Sequence, residues 1–349
     1  MSLRTAPLVA ALSLATSFAF AATELEVAPA IVLSTQSPDY DLAAKVKIVR
    51  MGNGTLVAVY GDGGSGNMVY DLKGQKEREA RDIFVRTCNP NTLDCSDSVN
   101  WSVPKNLSNT AGQTSAATNW KGPTAGALSF YGDSDKPNVF NNGPAIVVSW
   151  VDKYCDGDVQ GSISYPELEE REIPFSCVYA VRSLNNGSSW SAAQRLTSGA
   201  RDAKSDVSKG TDAAWIITWQ EDPIGLQRGQ AEGPGDGASG ANVSKGTDIW
   251  YTSLARADFN NGDAFPTPLR ITNNFNKLDK KQGTVTDIEG GNVGASRPNI
   301  ALIGPTVLLA YEETKGLEGL DDGKYIRYHV FRVDAAPTSC ENPGEGCLV

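Results

Sequence analysis

The 349-residue chain contains only one histidine, His329, and none of its six cysteines forms a Cys-x-x-Cys pair. Zinc and related metals are held by histidines and closely spaced cysteines, so the sequence offers no such centre. Positive charge is also in deficit, with 31 Lys and Arg against 41 Asp and Glu and a net charge of −10. This balance argues against nucleic acid as a partner, and it permits calcium as a cofactor.

Long apolar runs are missing as well. No stretch has the eighteen consecutive apolar residues that suggest a membrane-spanning helix. Residues 1–21 carry Arg4, an apolar run and the small-x-small sequence Ala19-Phe20-Ala21, which together are typical of a secretory signal peptide. We therefore expect an exported product that is periplasmic, on the cell surface or secreted, with no transmembrane segment.

Six cysteines in an exported chain predict disulfide bonds. The pairs nearest in sequence are Cys88 with Cys95, Cys155 with Cys177, and Cys340 with Cys347. Six cysteines allow fifteen connectivities, and this local pairing is the one we predict.

The 35 glycines suit an all-β fold with many turns, and one turn pattern recurs. Each copy has eight residues ending in an aromatic, followed by a seven-residue tail that ends in Leu or Ile and then Ser or Thr. The best copy contains Asn186-Gly187, a strong hairpin signal because both residue types tolerate positive φ. The three copies start at residues 94, 183 and 258.

Four apolar strands also repeat, at residues 55–60, 145–150, 214–219 and 306–311. Their continuous hydrophobicity predicts strands covered on both faces, as in the blades of a β-propeller. Each ends in an aromatic with a carboxylate two residues later, and the four carboxylates are Asp62, Asp152, Glu221 and Glu313. We predict four recognisable blades of four antiparallel strands, with six blades as an alternative, and residues 25–33 as the outer strand of the last blade.

The turn pattern resembles the Asp-box (BNR repeat) of sialidase-like β-propellers, Ser-x-Asp-x-Gly-x-x-Trp, with Asn185 and Asn260 at the usual Asp position. The resemblance implies a propeller domain over residues 22–335, followed by a tail over residues 336–349. Two sialidase features are missing: an Arg-Ile-Pro motif, expected near Lys45, and a tyrosine, expected near Ser296 and Arg297. A lysine does not reproduce the planar fork of arginine on a carboxylate, so we expect no classical sialidase catalysis.

A second resemblance is local. Residues 219–240 and 246–251 are similar to a block in uncharacterised bacterial exported proteins of the "choice-of-anchor" type. This resemblance implies export and no particular activity.

The predicted topology places the long loops together on one face, where binding or catalysis usually resides. Cations come before the inner strands, at Lys45, Lys136, Lys204 and Arg297, and acids follow the second strands. A polar or acidic ligand such as a glycan suits this ring, and salt bridges between blades would use the same residues. The predicted ligand-binding residues are Asp62, Lys136, Asp152, Arg201, Glu221, Asp222, Arg297 and Glu313.

Three function classes stay open. A glycan-binding propeller is preferred, the alternatives being a divergent glycoside hydrolase or lyase and a docking module for an envelope protein. Candidate catalytic acids are Asp152, Glu221 and Glu312, since glycosidases use paired carboxylates. Acidic loops suggest calcium near Asp202, Asp206, Asp222 and Asp236.

Overall fold

A computed structural model describes residues 29–34, 42–157, 159–225, 246–274, 294–314 and 325–333, except for the side chains of residues 205, 206 and 314. The first half contains β1 (Ala44–Arg50), β2 (Leu56–Asp62), β3 (Met68–Asp71), β4 (Lys76–Glu79), β5 (Asp82–Cys88), β6 (Lys105–Asn106), β7 (Thr114–Thr118), β8 (Leu128–Tyr131), β9 (Asp135–Asn142) and β10 (Ala145–Asp152). The second half contains β11 (Ser162–Tyr165), β12 (Arg171–Pro174), β13 (Cys177–Ser183), β14 (Gln194–Arg195), β15 (Asp202–Gly210), β16 (Ala214–Asp222), β17 (Asp248–Ala255), α1 (Arg256–Asn261), β18 (Leu269–Arg270), β19 (Gly294–Ile303), β20 (Thr306–Thr314) and β21 (Tyr325–Arg332). Short 3-10 helices cover Ser98–Asn100, Pro123–Ala125 and Pro166–Leu168.

Four antiparallel sheets follow one another along the chain and form the blades of a β-propeller. Blade 1 has the order β1-β2-β5-β6, blade 2 β9-β10-β13-β14, blade 3 β15-β16-β17-β18 and blade 4 β19-β20-β21. The innermost strands pack side by side, β1 against β9, β9 against β15, and β15 against β19. The predicted fold class and the inner-to-outer strand order are therefore confirmed. The described residues contain four such sheets, and the number of blades in the whole chain stays a prediction.

The first half of β10 is apolar because both faces of this strand meet neighbouring blades. Successive strand residues point to opposite faces. In β10, Ile146 and Val148 join the core shared with blade 1, while Ala145 and Val147 join the core shared with blade 3. These side chains are at most 1% exposed.

The Ser or Thr that ends each repeat tail has a structural role. Its hydroxyl accepts a hydrogen bond from a backbone N–H near the start of the third strand, and the apolar residue before it is buried. The pairs are Ile83 N to Ser108 Oγ at 2.9 Å, Val178 N to Thr197 Oγ1 at 3.0 Å and Ile249 N to Thr272 Oγ1 at 2.9 Å. The tail thus fixes the outer strand of blades 1, 2 and 3.

Only part of the turn prediction holds in detail. At residues 183–190, Gly187 N donates a hydrogen bond to Ser183 Oγ at 2.9 Å, and Trp190 Nε1 donates one to Gly187 O at 3.0 Å. These two bonds close the turn. The hairpin turn predicted for the copy that starts at Asp258 is wrong. The helix α1 (Arg256–Asn261) lies there, and it is capped by Gly262 with φ 92°. Burial of Phe259, which stacks on Trp215 with ring centroids 4.7 Å apart, favours the helix over a hairpin turn.

The strand predicted at residues 25–33 is also corrected. Residues 29–34 form no strand and lie against blade 1, where Leu33 O accepts from Tyr60 Oη at 2.9 Å and from Arg86 Nη1 at 3.1 Å. Ile31 and Leu33 pack against the buried residues Ala58 and Trp101, which is the physical reason for this position. Residues 25–28 lie outside the described part of the chain.

Three hairpins on one face form a cap with its own core. They are β3–β4, β7–β8 and β11–β12, and they come from the long loops of blades 1 and 2. Their shared core includes Val69, Trp120, Phe130, Ile163 and Phe175, which are at most 6% exposed. The long loops of blades 1 and 2, which we predicted to share one face, thus form an ordered and packed layer.

Two of the predicted disulfides are confirmed, Cys88–Cys95 and Cys155–Cys177. Cys340 and Cys347 lie outside the described residues. Within the described residues, no helix combines the length and the apolar character needed to cross a membrane.

Candidate functional site

Each of the four described blades carries a β-bulge in its innermost strand, at one repeated position. The pairing register shifts between Ala44 and Lys47 in β1, between Lys204 and Val207 in β15 and between Ser296 and Asn299 in β19. In β9 the shift lies opposite Ser149 and Val151. The register thus sets two bulged residues opposite each strand-end aromatic, namely Tyr60, Trp150, Trp219 and Tyr311.

Three of the four bulges begin with a basic residue in the left-handed region. Lys45 has φ 53°, Lys136 has φ 54° and Arg297 has φ 52°. Glycine usually takes this bulge position, and a non-glycine residue there costs about 1–3 kcal/mol. Proline at the second bulge position, Pro137 or Pro298, fits because a bulged residue leaves the ladder.

The sequence prediction placed Lys204 in this series, and the register corrects it. Lys204 pairs with Gln220 before the bulge, and Ser205 takes the bulged position in blade 3. The sequence signal that distinguishes the positions is the basic-Pro-Asn triplet, which blades 2 and 4 share and blade 3 lacks.

Cations meet at Asp135, between blades 1 and 2. Lys45 Nζ lies 2.9 Å from Asp135 Oδ2, and Arg81 Nη2 lies 3.5 Å from Asp135 Oδ1. Burial would raise the pKa of Asp135, but the charges of Arg81, Lys45 and Lys136 outweigh it and lower that pKa to about 2. Asp135 therefore stays ionised and holds these cations together beside the bulge of β9.

A second carboxylate and a partly buried lysine extend this cluster. Arg78 donates from Nη1 to Asp133 Oδ1 at 2.8 Å and from Nη2 to Asp133 Oδ2 at 2.6 Å. Burial lowers the pKa of Lys153, whose Nζ donates to Pro174 O at 2.8 Å and lies 3.9 Å from Asp202. Sequence reasoning missed Arg81 and Lys153, although Arg81 precedes the third strand and Lys153 directly follows Asp152.

Asp152 is a fully buried hub between blades 1 and 2. Its Oδ2 accepts from Thr110 Oγ1 and Ser134 Oγ, both at 2.6 Å, and its Oδ1 accepts from Tyr154 N at 2.9 Å. Burial raises its pKa to about 6, against the lowering effect of the hydroxyl hydrogen bonds. Since Thr110 N also donates to Asp82 at 2.7 Å, the hub ties two blades together.

A comparable acidic cluster lies in blade 3. Glu221 pairs with Asp248 across β16 and β17, and Trp219 Nε1 donates to Glu221 at 2.9 Å. Burial raises the pKa of Glu221 to about 7. Asp248 is buried between Arg201 and Arg270, each 3.4 Å away, and Arg201 also lies over the ring of Trp250 at 5.6 Å.

Blade 4 presents Arg297 and Glu312 together. Arg297 Nη1 lies 3.1 Å from Glu312 Oε1, and the side chains are 40% and 20% exposed. The backbone N–H of Arg297 donates to Gln220 Oε1 at 3.2 Å, which joins blade 4 to blade 3. His329 lies in β21, as expected of a strand side chain, and bonds Tyr311 Oη at 3.0 Å.

The predicted ligand-binding residues thus divide by exposure. Asp62, Asp152 and Asp222 are fully buried, while Glu221 and Glu313 are 8% and 5% exposed. The three catalytic candidates lie on β10, β16 and β20, each in a different blade. Arg297, Lys136 and Glu312 remain at least partly accessible, so the accessible part of the predicted ring is formed largely by the bulge cations.

No group of three or more His, Cys, Asp or Glu is placed to hold a metal ion among the residues that the structure describes. Asp202 Oδ1 accepts from Ser176 N at 2.7 Å, and Asp222 Oδ1 accepts from Thr247 Oγ1. Asp236 and the side chain of Asp206 are outside the described part. The calcium site stays a prediction.

No protein-family model matches the chain, and no curated protein matches it. The resemblance to "choice-of-anchor" proteins therefore stays a prediction.

Several solved structures of glycan-processing enzymes are similar at low identity. An alpha-L-arabinanase of Penicillium chrysogenum in complex with arabinobiose is 10% identical, with TM-score 0.39, over 86% of this chain and 66% of that one. A Hadza microbial sialidase is 12% identical, with TM-score 0.39, over 83% and 47%. A leech intramolecular trans-sialidase is 9% identical, with TM-score 0.41, over 89% and 54%. The chain thus spans about half to two thirds of their length, and likeness at this level carries no argument about activity.

Proposed function

We propose that this chain is an exported binding propeller that takes a polar, acidic ligand of the glycan class on the face that carries the cap. Lys136 and Arg297 anchor the ligand's carboxylate or other anionic group from the inner-strand bulges. The propeller domain covers residues 22–335 after a signal peptide at residues 1–21. Classical sialidase catalysis is not part of this function.

One observation carries the proposal: the shared left-handed conformation of Lys45, Lys136 and Arg297 at the same bulge of three blades. A residue held in a costly conformation by its surroundings points to a functional constraint. A bulge also re-aims a side chain relative to a regular strand. Repeating the bulge at the same position of three inner strands brings basic side chains to the same level of the propeller, where they could recognise an anion.

The competing interpretation is that the cations brace neighbouring blades. It fits Lys45 well, since Lys45 binds Asp135 of the next blade at 2.9 Å. Arg297 pairs with Glu312 of its own blade at 3.1 Å, and its backbone N–H bonds Gln220 of blade 3. Bracing and binding therefore make different predictions for these two residues.

Arg297→Ala and Lys136→Ala test the proposal. Each variant should lower affinity for sialic acid or glucuronic acid at least tenfold in calorimetric titration, because a charge-assisted hydrogen bond contributes about 1.5–3 kcal/mol. The melting point should stay within about 2 °C of the wild type. Lys105→Ala is the matched control, because Lys105 is exposed on the outer strand β6.

A bracing role would give the reverse pattern. Arg297→Ala would then lower the melting point while the folded fraction kept its affinity for the acidic sugar. Lys45→Ala should show the bracing pattern in either case, through loss of its bond to Asp135.

A divergent glycoside hydrolase is the second candidate, favoured by Glu221. A buried carboxyl whose pKa lies near 7 can act as a general acid at neutral pH. Turnover of a fluorogenic sialoside well above background, lost in Glu221→Gln or Glu312→Gln, would replace the binding proposal with this one. No binding of sialic acid or glucuronic acid by the wild type would overturn the binding proposal and leave open docking to an envelope protein, the third class.

A further inference from the structure

Blade 4 ends one strand earlier than the other blades. In blades 1, 2 and 3 a short outer strand, β6, β14 or β18, pairs with the third strand, whereas β21 is the last strand of blade 4 among the described residues. Nothing in the described ranges pairs with the outer edge of β21. An unpaired strand edge is a template for an extended segment, so this edge is a candidate docking surface.

The repeat tails show what fills this edge in the other blades. One residue of the third strand donates its N–H to the hydroxyl of the tail's Ser or Thr, and its C=O accepts from the N–H of the aliphatic residue before that Ser or Thr. In blade 1, Ile83 N donates to Ser108 Oγ at 2.9 Å and Leu107 N donates to Ile83 O at 2.7 Å. The same two bonds join Val178 to Leu196 and Thr197, and Ile249 to Ile271 and Thr272. In each blade the aliphatic residue of the tail and the third-strand residue belong to one buried core.

Ile326 holds the equivalent position in β21. It pairs with Glu312, which directly follows a strand-end aromatic, and the three residues bonded by the tails pair in the same register. In an antiparallel ladder the N–H and C=O of one residue point to the same side, so this register directs both groups of Ile326 away from β20. The Ile326 side chain is 74% exposed, whereas Ile83, Val178 and Ile249 are 0% exposed. Ile326 thus presents an open copy of a contact that the other blades close.

Exposed apolar side chains continue from Ile326 along β21. Tyr328 and Val330 are 65% and 54% exposed, and they share a face with Ile326 because side chains alternate along a strand. Leu308, which pairs with Val330, is 40% exposed and adds to the same patch. Contiguous exposed apolar patches mark sites of protein–protein interaction. The edge therefore offers apolar contacts beside its backbone groups.

The positions of the tails indicate where the missing segment comes from. Each of the three repeat tails is held in its own blade. The similar pair Leu33-Ser34 lies against blade 1, where Leu33 O accepts from Tyr60 Oη at 2.9 Å. These segments are therefore not available to β21, either in this chain or in a second copy of it.

From these observations we infer that the outer edge of β21 binds an extended segment of another protein, in which an aliphatic residue precedes Ser or Thr. Ile326 N donates to the hydroxyl, and Ile326 O accepts from the N–H of the aliphatic residue. Main-chain bonds of this kind give affinity, and side-chain contacts give specificity. The residue before the aliphatic one lies opposite Arg327, as Asn106 lies opposite Phe84 in blade 1, so a basic residue is disfavoured there.

Fluorescence anisotropy with a labelled synthetic peptide of residues 102–108 tests this inference. The blade 1 tail is the suitable probe because the neutral Asn106 precedes its aliphatic residue. The peptide should bind the wild-type protein saturably. Leu107→Asp or Ser108→Ala in the peptide should each weaken binding about tenfold, through loss of the apolar contact or of the hydrogen bond.

A substitution in the protein locates the site. Ile326→Ala should weaken binding of the peptide about tenfold and leave the melting point within about 2 °C of the wild type, because Ile326 is largely exposed. Ile303→Ala is the matched control, since Ile303 is an 82% exposed isoleucine of the same blade that lies on β19. This control should bind the peptide as the wild type does.

Equal binding of the unchanged and Leu107→Asp peptides, or equal binding by the wild type and Ile326→Ala, would overturn the inference. Absence of binding would overturn it as well, and sedimentation velocity would then identify the occupant. A dimer that is lost in Ile326→Ala would assign the edge to a second copy, and a monomer would assign it to another segment of the same chain. Binding of acidic sugars is measured separately on Lys136 and Arg297, which lie outside β21, so failure at one site is distinguishable from failure at the other.

Discussion

Asp152 illustrates, at the scale of single residues, what the repeated carboxylates do. It is fully buried and takes hydrogen bonds from Thr110, Ser134 and Tyr154. The sequence placed it correctly at the end of a second strand. Its burial depends on Thr110 and Ser134, which lie 42 and 18 residues away in the chain, and no local pattern predicts their approach.

Asp152→Asn should change how stability depends on pH. Burial raises the pKa of Asp152 to about 6, so between about pH 4 and pH 6 the folded state binds this proton more tightly than the unfolded state. Stability from this group is therefore highest below pH 4 and falls as pH rises through 6. The shift corresponds to about 3 kcal/mol.

Urea unfolding at pH 4 and pH 7 measures the effect. The wild type should lose up to about 3 kcal/mol more than Asp152→Asn over this interval. The exposed Asp212→Asn is the control and should follow the wild type. Equal losses in the wild type and Asp152→Asn would show that folding does not raise the pKa of Asp152.

At the scale of elements, the sequence predicted the strands better than the bulges within them or the cap above them. Alternating contacts of β10 with two blades explain why continuous apolar runs identified the second strands. The sequence did not predict the bulges, because a bulge is defined by the pairing register of two strands. The only sequence signals of a bulge were the Lys136-Pro and Arg297-Pro pairs. The cap was predicted as long loops, since its core forms only when three hairpins from distant segments meet.

The two disulfides should contribute differently to these elements. Cys155–Cys177 spans 22 residues and closes the base of the β11–β12 hairpin, whereas Cys88–Cys95 spans 7. Chain entropy gives about 3.4 and about 2.4 kcal/mol respectively. Cys155→Ala/Cys177→Ala should therefore lower stability by about 3.4 kcal/mol and also loosen the cap.

Denaturant unfolding combined with limited proteolysis checks this. Cleavage between residues 156 and 176 should rise in the Cys155→Ala/Cys177→Ala variant. It should not rise in Cys88→Ala/Cys95→Ala, the matched control. A cap equally resistant in both variants would show that its core holds without the bond.

At the scale of the whole molecule, the net charge of the chain is negative, whereas the candidate site is rich in positively charged side chains. The chain carries a net charge of −10, yet Lys45, Arg81 and Lys136 gather around Asp135, and Arg297 lies at the same bulge of blade 4. Composition alone argued against nucleic acid and permitted calcium. The repeated inner strand changes this expectation, because it concentrates cations on one face of a chain that is acidic overall.

The most direct test replaces Lys136 and Arg297, the two proposed anchors, by glycine. Lys136→Gly/Arg297→Gly keeps the left-handed backbone without strain, so stability should be unchanged or higher by about 1 kcal/mol. Titration of sialic acid or glucuronic acid should give saturable binding to the wild type and at least a hundredfold weaker binding to the double variant. Undiminished affinity in the stable double variant would contradict the assignment of Lys136 and Arg297 as the anchors of an anionic ligand.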